Sequence, residues 1–554
     1  MTPFSNAASA QTAKANPTEP NTVDPKNIAE PKTQETNTEK AKTRANIRDA
    51  KINNLVREEA VPDFWELPSA LPDAPQRLYR LEESIREDLE IAQYPGRTWD
   101  YSRSSDILEV AILGAGHSGK SAAFGLRQRG ISNVTIFDRR PAGSEGVWRA
   151  FARNAKLRSP KRITGGLDWG IPNLNFRRWC TACYGGEYWQ SIQYIPRLLW
   201  AEYVDWYGQI LSLPIQNNTD IQRITWNEVE QCFWLQATCK GVSALYKARF
   251  IIFATGMECA GGKNIPAIVK NNLPTSSYHH TMDEINFSAF KDKRVMVVGG
   301  GASAFDNALL LLKAGAAAVD LTIRRKTLPN LNRIRWSEWN GYHRHYIDLP
   351  DKDKWAYSLS ELRIGQLPPA HTYYQAVNHP RFSLYTDAPI REISYDSQDS
   401  SSQDSHFQGK SCKENHGEVV GRYGNHHFRH DALICGTGFV TDIDRHTVLH
   451  ELSPYVARWR DRFTPSPEEE HSELANFPYL GKSLEFIPTS SDHGYLSRCY
   501  YLSCGAAYLS GFRANLTDLQ FALPRIIYDI GKQLFIEHQD EIRSDFDAYD
   551  NREY

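Results

Sequence analysis

Short apolar runs punctuate the chain from residue 108 onward: Leu108–Leu113, Val134–Phe137, Phe250–Ala254, Val295–Val298, Val319–Ile323 and Ala432–Cys435. Each is bounded by glycine or charge, which predicts a strand buried on both faces, as in a parallel sheet. Between them, apolar positions recur at helical spacing over Ser118–Arg129 and Ser303–Ala314. Strand, glycine-rich turn, helix, strand is a βαβ unit. It occurs twice, beginning near residues 108 and 294.

Leu78, Leu81, Ile85, Leu89 and Ile91 predict one amphipathic helix between Leu67 and Ala92, docked on the main body. Residues 1–45 carry one aromatic, Phe4, among Thr, Asn, Ala, Pro, Lys and Glu. Such a segment buries too little apolar surface to offset its ordering entropy, so a disordered tail is expected, followed by a helical extension over 46–104. A Ser-, Gln- and Asp-rich insert at 397–417 is expected to be the loop of a hairpin between Ile390–Tyr395 and Glu418–Tyr423.

Charge and composition narrow the function classes. The 554 residues hold 64 Lys+Arg against 66 Asp+Glu, a formal net charge of −2, without the basic excess of a nucleic-acid binder. The most apolar stretch, Ala308–Ala318, is short and broken by Lys313, so no membrane span is expected. The first 45 residues lack a secretory apolar core. They hold Glu19, Asp24 and Glu30 and no Arg before Arg44, unlike a mitochondrial transit segment. Nine cysteines, an odd number, fit a reducing compartment. A cytoplasmic location is expected, and the pattern carries no signal for oligomeric state.

The first glycine turn, Gly114-Ala115-Gly116-His117-Ser118-Gly119-Lys120-Ser121, fits two motifs. Read as Gly-x-Gly-x-x-Gly it is a dinucleotide fingerprint; read as Gly-x-x-x-x-Gly-Lys-Ser it is a P-loop built on Lys120. Both aim backbone N–H groups and a helix N-terminus at phosphate. Asp138 closes the next strand, 24 residues after Gly114. An acid there accepts hydrogen bonds from an adenosine ribose, or in a P-loop protein holds Mg²⁺.

The second turn arbitrates. Gly299-Gly300-Gly301-Ala302-Ser303-Ala304 is Gly-x-Gly-x-x-Ala and has no Lys-Ser. The strand after it ends in Arg324-Arg325-Lys326. Base where the first unit has acid is the change that pairs a guanidinium with the 2′-phosphate of NADPH. The order acid-then-base implies FAD followed by NADPH.

With these residues in view, the chain resembles the flavoprotein monooxygenases with two dinucleotide-binding domains. These are the flavin-containing, N-hydroxylating and Baeyer–Villiger group, and the resemblance runs over about Ile107–Leu534. The turn Ala254-Thr255-Gly256 resembles the family's inter-domain linker, and Cys435-Gly-Thr437-Gly438-Phe439 resembles the return. Glu145-Gly146-Val-Trp148 and Lys156-Leu-Arg-Ser159-Pro160 resemble its flavin-side segments. The family's His-centred identifier is present only in outline, around His279-His280-Thr281. Arg158-Ser159-Pro160, Gly170-Ile-Pro172 and Phe176-Arg-x-Trp179 are similar to a bacterial subgroup that includes urate hydroxylases.

The resemblance implies two Rossmann-like α/β domains, the NADPH domain inserted into the FAD domain. FAD would be bound by 105–257 and 432–540, and NADPH by 258–431. It implies that Gly114, Ala115, Gly116, His117, Ser118, Gly119, Asp138, Gly146, Trp148, Ser159, Thr255 and Gly438 face FAD. Gly299, Gly301, Ser303, Ala304, Arg324 and Arg325 would face NADPH. The implied reaction is flavin reduction by NADPH, then oxygenation of a small organic substrate by O₂ through a flavin C4a-(hydro)peroxide.

Within Gly511-Phe-Arg513-Ala-Asn515-Leu-Thr517-Asp518, Arg513 and Asn515 are candidates for tuning the oxygen intermediate, or they belong to a loop that caps a helix opening at Thr517. Cys180-Thr-Ala-Cys183 offers a redox disulfide as an alternative activity. No second cysteine pair at ligand spacing supports zinc. His343-Arg-His345, among Trp336, Trp339, Tyr342 and Tyr346, fits a substrate pocket, a metal site or a packed aromatic surface.

Overall fold

A computed structural model describes residues 67–98, 106–164, 167–257, 261–397, 417–502, 509–512 and 516–553. The expected tail, most of the low-complexity insert, and Arg513 and Asn515 lie outside the described residues.

The expected N-terminal helix, α1, spans Ala74–Ile91. Leu81 and Ile85 are buried and Leu78 and Leu89 pack on the core, whereas Ile91 is exposed because it falls in the last turn, past the contact. Burying Leu81 and Ile85 contributes about 2 kcal/mol each. The chain just before α1 is tied down by Leu71 N–H donating to the Cys183 carbonyl at 2.9 Å. Arg77 adds bonds to the carbonyls of Ala182 and Thr181 at 3.1 and 3.0 Å.

Both βαβ units form. In the first, β1 (Ile107–Leu113), α2 (His117–Gln128) and β2 (Val134–Phe137) follow the sequence pattern within a residue or two. β1 lies parallel to β2 on one side and to β8 (Val242–Phe253) on the other. The expected strand Phe250–Ala254 is therefore the inner end of a longer one. Its outer half pairs antiparallel with β7 (Cys232–Cys239), itself paired with β6 (Thr219–Asn227), while Ile251–Phe253 pair parallel with β17 (Cys499–Tyr501). Burial changes with the partner: the outer half of β8 is largely open, and Phe250–Phe253 are fully buried.

In the second unit, β10 (Arg294–Val298), α5 (Ala302–Lys313) and β11 (Ala318–Thr322) form a sheet ordered β12-β11-β10-β16-β9, with β9 Tyr278–His280, β12 Phe382–Tyr385 and β16 Ala432–Cys435. All its pairings are parallel. Ile390–Asp396 and Glu418–Tyr423 do pair as antiparallel neighbours, as the flanks of the insert predict.

Two expected boundaries change. Ala432–Cys435 was expected to open the second part of the first domain, but it pairs with β10 in the second sheet. The chain crosses back only after it, at Gly436. Residues within 258–431 also leave the second sheet. α6 (Asn340–His345) and α7 (Asp351–Ile364) pack on the C-terminal part of the chain, where Trp355 joins Trp459, Leu474, Phe477 and Leu509 in one apolar cluster. Trp355 Nε1 donates to the Glu469 carbonyl, and Tyr479 donates to Asp351. Burial of a full tryptophan outweighs sequence proximity to the second sheet.

Candidate active site

The first glycine turn links β1 to α2. Gly114 has φ +103°, and a Cβ on it would lie 2.7 Å from the Ala254 carbonyl oxygen, so the turn fits closely against the linker strand only without a side chain. A Cβ on Gly119 would lie 1.9 Å from the Gly114 carbonyl oxygen, so only glycine lets the helix start this close to the strand. The Ala115 N–H donates to Asp138 Oδ2 at 2.8 Å, and the Arg140 N–H to Oδ1 at 2.8 Å. Asp138 is buried, which raises its carboxyl pKa, while the two backbone donors pull it back down. Each oxygen keeps a second lone pair for a ligand.

This turn and the Glu145–Trp148 segment meet backbone to backbone at two glycines. A Cβ on Gly116 would lie 3.5 Å from the Gly146 Cα, and one on Gly146, where φ is +73°, would lie 3.4 Å from the Gly116 Cα. The His117 and Trp148 rings stand 5.9 Å apart beside this contact. His117 Nε2 and Trp148 Nε1 are both buried without a hydrogen-bond partner. Burial lowers the His117 pKa to about 4, so the ring is neutral near pH 7. Glycine-lined backbone beside two unpartnered ring nitrogens, at a helix N-terminus, fits a dinucleotide pyrophosphate and flavin.

Lys120 runs instead to a neighbouring helix. Its stem passes Gly208 on α4 (Arg197–Ile210), where a Cβ would lie 3.3 Å from Lys120 Cε. Its ammonium ends 3.4 Å from the Val204 carbonyl, 3.5 Å from Asp205 and 3.9 Å from Glu145. The P-loop alternative is overturned by this geometry, because a Walker lysine must reach the phosphates. Asp205 also binds Arg149 at 2.5 Å, and Glu145 accepts from Asn217 at 2.8 Å. Sequence reasoning missed this network because its members lie on separate elements.

In the second turn, Gly299 has φ +134°, and a Cβ there would lie 2.1 Å from the Gly436 carbonyl oxygen. A Cβ on Gly436 would in turn meet that of Ala304 at 2.6 Å. Gly301 caps α5, and Ser303 accepts from Asn307 at 2.8 Å through its carbonyl. Beyond β11, Arg324 is exposed. Arg325 instead binds the α7 C-terminus, donating to the Arg363 and Ile364 carbonyls at 3.0 and 2.5 Å.

The two crossings run side by side. The Asn264 N–H donates to the Gly438 carbonyl at 3.1 Å, as does His280 Nε2 at 2.9 Å. The histidine in the family-like segment therefore fastens the return turn. Thr255 is partly buried at the start of the outward crossing. Ser159 lies in β3 (Lys156–Pro160), and its carbonyl accepts from Thr164. Its neighbour Arg158 reaches the second unit, 3.2 Å from the buried Asp306 on α5, which also accepts from Thr372.

Cys180 and Cys183 lie in α3 (Phe176–Ser191) as unpaired thiols beside Phe176, Trp179 and Tyr203. Burial pushes Cys180 up to about 12 and Cys183 to about 11. Such thiols carry almost no thiolate at neutral pH, which argues against the disulfide-reductase alternative. Among the described residues no three His, Cys, Asp or Glu side chains form a metal-binding group.

The helix expected to open at Thr517 begins at Leu519, as α8 (Leu519–Glu537). The Asp518 carboxylate does not cap it but faces His343 on α6 at 3.0 Å. A cavity of about 700 Å³ near Asn175, Arg177 and Trp189 shares no lining residue with either glycine turn.

Two sheets, one mixed and one parallel, each with a glycine turn at the carboxyl end of an inner strand flanked by parallel neighbours, define a two-dinucleotide α/β protein. Comparison with known proteins sharpens this. A family model described as pyridine nucleotide-disulphide oxidoreductase matches residues 111–339. The chain is 34% identical over 482 residues to the FAD-dependent urate hydroxylase of Xanthomonas campestris pv. campestris, covering 86% of this chain and 97% of the relative. Among solved structures, ornithine hydroxylase (PvdA) from Pseudomonas aeruginosa superposes with a TM-score of 0.58 at 13% identity, over 77% of this chain and 100% of that one. The ornithine N-hydroxylase of Kutzneria sp. 744 gives 0.57 at 14%, over 77% and 99%. The chain belongs to the flavoprotein monooxygenase family and is an oxidoreductase. Among the described residues no helix is long and apolar enough to cross a membrane.

Proposed function

We propose that this protein is an NADPH-dependent, FAD-containing monooxygenase of a small planar nitrogen heterocycle, with urate the first compound to test. The carrying observation is the pair of glycine turns that end differently, one at the buried acid Asp138 and the other at the exposed base Arg324. The relative named for urate, matched over 97% of its length, supports the substrate class.

FAD, when bound, accepts hydride and activates O₂. The chain's own residues bind and orient. The N-terminus of α2, beside the Gly116/Gly146 contact, takes the pyrophosphate, and Asp138 takes the ribose through its spare lone pairs. His117, neutral, and Trp148 offer ring nitrogens without adding charge. Gly299 and Gly301 open the N-terminus of α5 to the second pyrophosphate, beside Ser303 and Ala304. Arg324 pairs with the 2′-phosphate, and Arg325 holds the α7 terminus beside it. Thr255 and Gly438, at the crossings, and Ser159, in β3, bring the two cofactors together. Arg513 and Asn515 are assigned to the polar edge of the oxygen-reacting site.

The purified holoprotein is expected to show flavin absorbance that bleaches anaerobically with NADPH faster than with NADH, and then to consume NADPH faster when urate is added. A protein that stays colourless with added FAD sinks the reading. Bleaching without urate stimulation sinks the substrate class alone.

A further inference from the structure

Gln366 follows the end of α7 and is exposed, yet its amide stands at the mouth of the second glycine turn. A Cβ on Gly301 would lie 3.9 Å from Gln366 Oε1 and 4.0 Å from the Gln366 carbonyl oxygen. Apart from the chain neighbours of Gly301, no other described atom comes within 4 Å of that point. The other two glycines of the turn are closed off. A Cβ on Gly299 would meet the Gly436 carbonyl oxygen at 2.1 Å, and one on Gly300 would meet the Ile323 side chain at 2.9 Å. The open face of the turn is therefore bordered by Gln366, whose side chain makes no hydrogen bond.

Two neighbours hold Gln366 there. Gly365 turns the chain with φ +78°, and a Cβ on it would lie 3.0–3.1 Å from Nη2, Cζ and Nη1 of Arg325, so the guanidinium lies across that glycine. The same guanidinium donates to the Arg363 and Ile364 carbonyls, which have no partner further along the helix. On the other side, Arg363 donates to the Glu468 carbonyl at 2.6 Å, and Trp355 of α7 is buried against Trp459 and Phe477. The helix that delivers Gln366 is thus fastened both to the end of β11 and to the C-terminal part of the chain.

We propose that Gln366 is a nucleotide-binding residue, its amide N–H donating to the pyrophosphate of NADPH from the side opposite the N-terminus of α5. This rests on the function proposed above. No side chain caps α5, so the N–H groups of its first turn are open to phosphate. Gln366 adds a donor across the same opening without adding charge. A half-turn of its terminal torsion, which is soft, presents Nε2 to the turn in place of Oε1. A hydrogen bond to an anionic oxygen is stronger than one between neutral groups. The pyrophosphate is common to NADPH and NADH, so Gln366 contributes affinity for both, whereas Arg324 contributes the choice between them. Arg325 is a positioning residue, acting through Gly365.

The experiment uses the full-length, FAD-loaded protein. NADP⁺ and NAD⁺ are titrated calorimetrically into wild type, Gln366→Ala, Gln366→Glu and, for comparison, Arg324→Ala. Melting temperature and flavin content are recorded for each. Gln366→Ala is expected to weaken both nucleotides by the same factor, roughly 10-fold, the loss of one hydrogen bond to a charged group. Gln366→Glu, which turns a carboxylate toward the pyrophosphate, is expected to weaken both further. Arg324→Ala is expected to weaken NADP⁺ alone. Because Gln366 is exposed and unbonded, neither of its variants should move the melting temperature or the flavin content.

Unchanged binding of both nucleotides in Gln366→Ala and Gln366→Glu overturns the proposal, and the second turn remains the nucleotide site if Arg324→Ala still weakens NADP⁺. Loss confined to NADP⁺ also overturns it, since Gln366 would then act at the 2′-phosphate. A loss that comes with a lower melting temperature overturns it in favour of a packing role. Wild type that holds flavin but binds neither nucleotide overturns the reading of the second turn itself, and the role of Gln366 with it.

Discussion

The ammonium of Lys120 ends 3.5 Å from the carboxylate of Asp205 and 3.9 Å from that of Glu145. The lysine that makes Gly114–Ser121 look like a P-loop is a structural strut. Lys120→Met is expected to cost about 1–3 kcal/mol, less than an isolated buried pair because Arg149 still neutralises Asp205. The flavin-loaded variant should keep its NADPH reduction rate. Thermal melting and stopped-flow bleaching check the two halves. ATP or GTP binding by wild type that Lys120→Met abolishes would contradict this.

Gly299 and Gly436 bind the second unit together through bare backbone. Gly299→Ala places a methyl 2.1 Å from the Gly436 carbonyl oxygen and also forces φ +134° on an L side chain. A destabilisation of about 3 kcal/mol or more is expected. NADPH reduction should vanish while the first glycine turn still holds flavin, so visible absorbance with no bleaching is the signature.

Arg324 and Arg325 separate by partner. Arg324→Ala is expected to raise KM for NADPH by roughly 10-fold and leave NADH unchanged, because the lost charge meets only the 2′-phosphate. Arg325→Ala removes two bonds to the end of α7 and should lower the melting temperature instead. Steady-state kinetics with both nucleotides tells them apart.

Cys180→Ser and Cys183→Ser are expected to keep urate turnover within about two-fold, since neither buried thiol ionises at neutral pH. Native protein should react with a thiol reagent at these positions only on unfolding. Loss of turnover in either variant would restore disulfide chemistry.

His117 sets a pH dependence. Its folded pKa, about 4, lies below the ordinary 6.5, so the folded chain binds fewer protons than the unfolded one between those values. Stability from this group is complete above pH 6.5 and falls as pH drops toward 4. His117→Asn should flatten that part of the melting-temperature curve.

The sequence pattern already contains both βαβ units nearly to the residue, since four-residue apolar runs beside Gly-x-Gly turns leave little freedom in period or placement. Gly114, Gly119 and Gly299 were legible for the same reason: each is a steric requirement of a local turn. The opposite ends of the two units, Asp138 and Arg324, could be read by counting residues along the chain. The return of Ala432–Cys435 to the second sheet could not, because an apolar strand does not name its partner.

Lys120 shows the limit most sharply. Its motif is local, but its direction is decided by Asp205, Glu145 and the gap at Gly208, more than 80 residues away in the case of α4. Arg158 with Asp306, His280 with Gly438 and His343 with Asp518 share that character. By itself, the sequence determined the two dinucleotide units, their order and the charge at the end of each, because these rest on periodicity and backbone sterics within some 30 residues. The tertiary structure decided which charged and polar groups meet. Those pairings come from burial of distant apolar faces such as Trp355 and Phe521, which bring the partners together and remove the water that would otherwise compete for them.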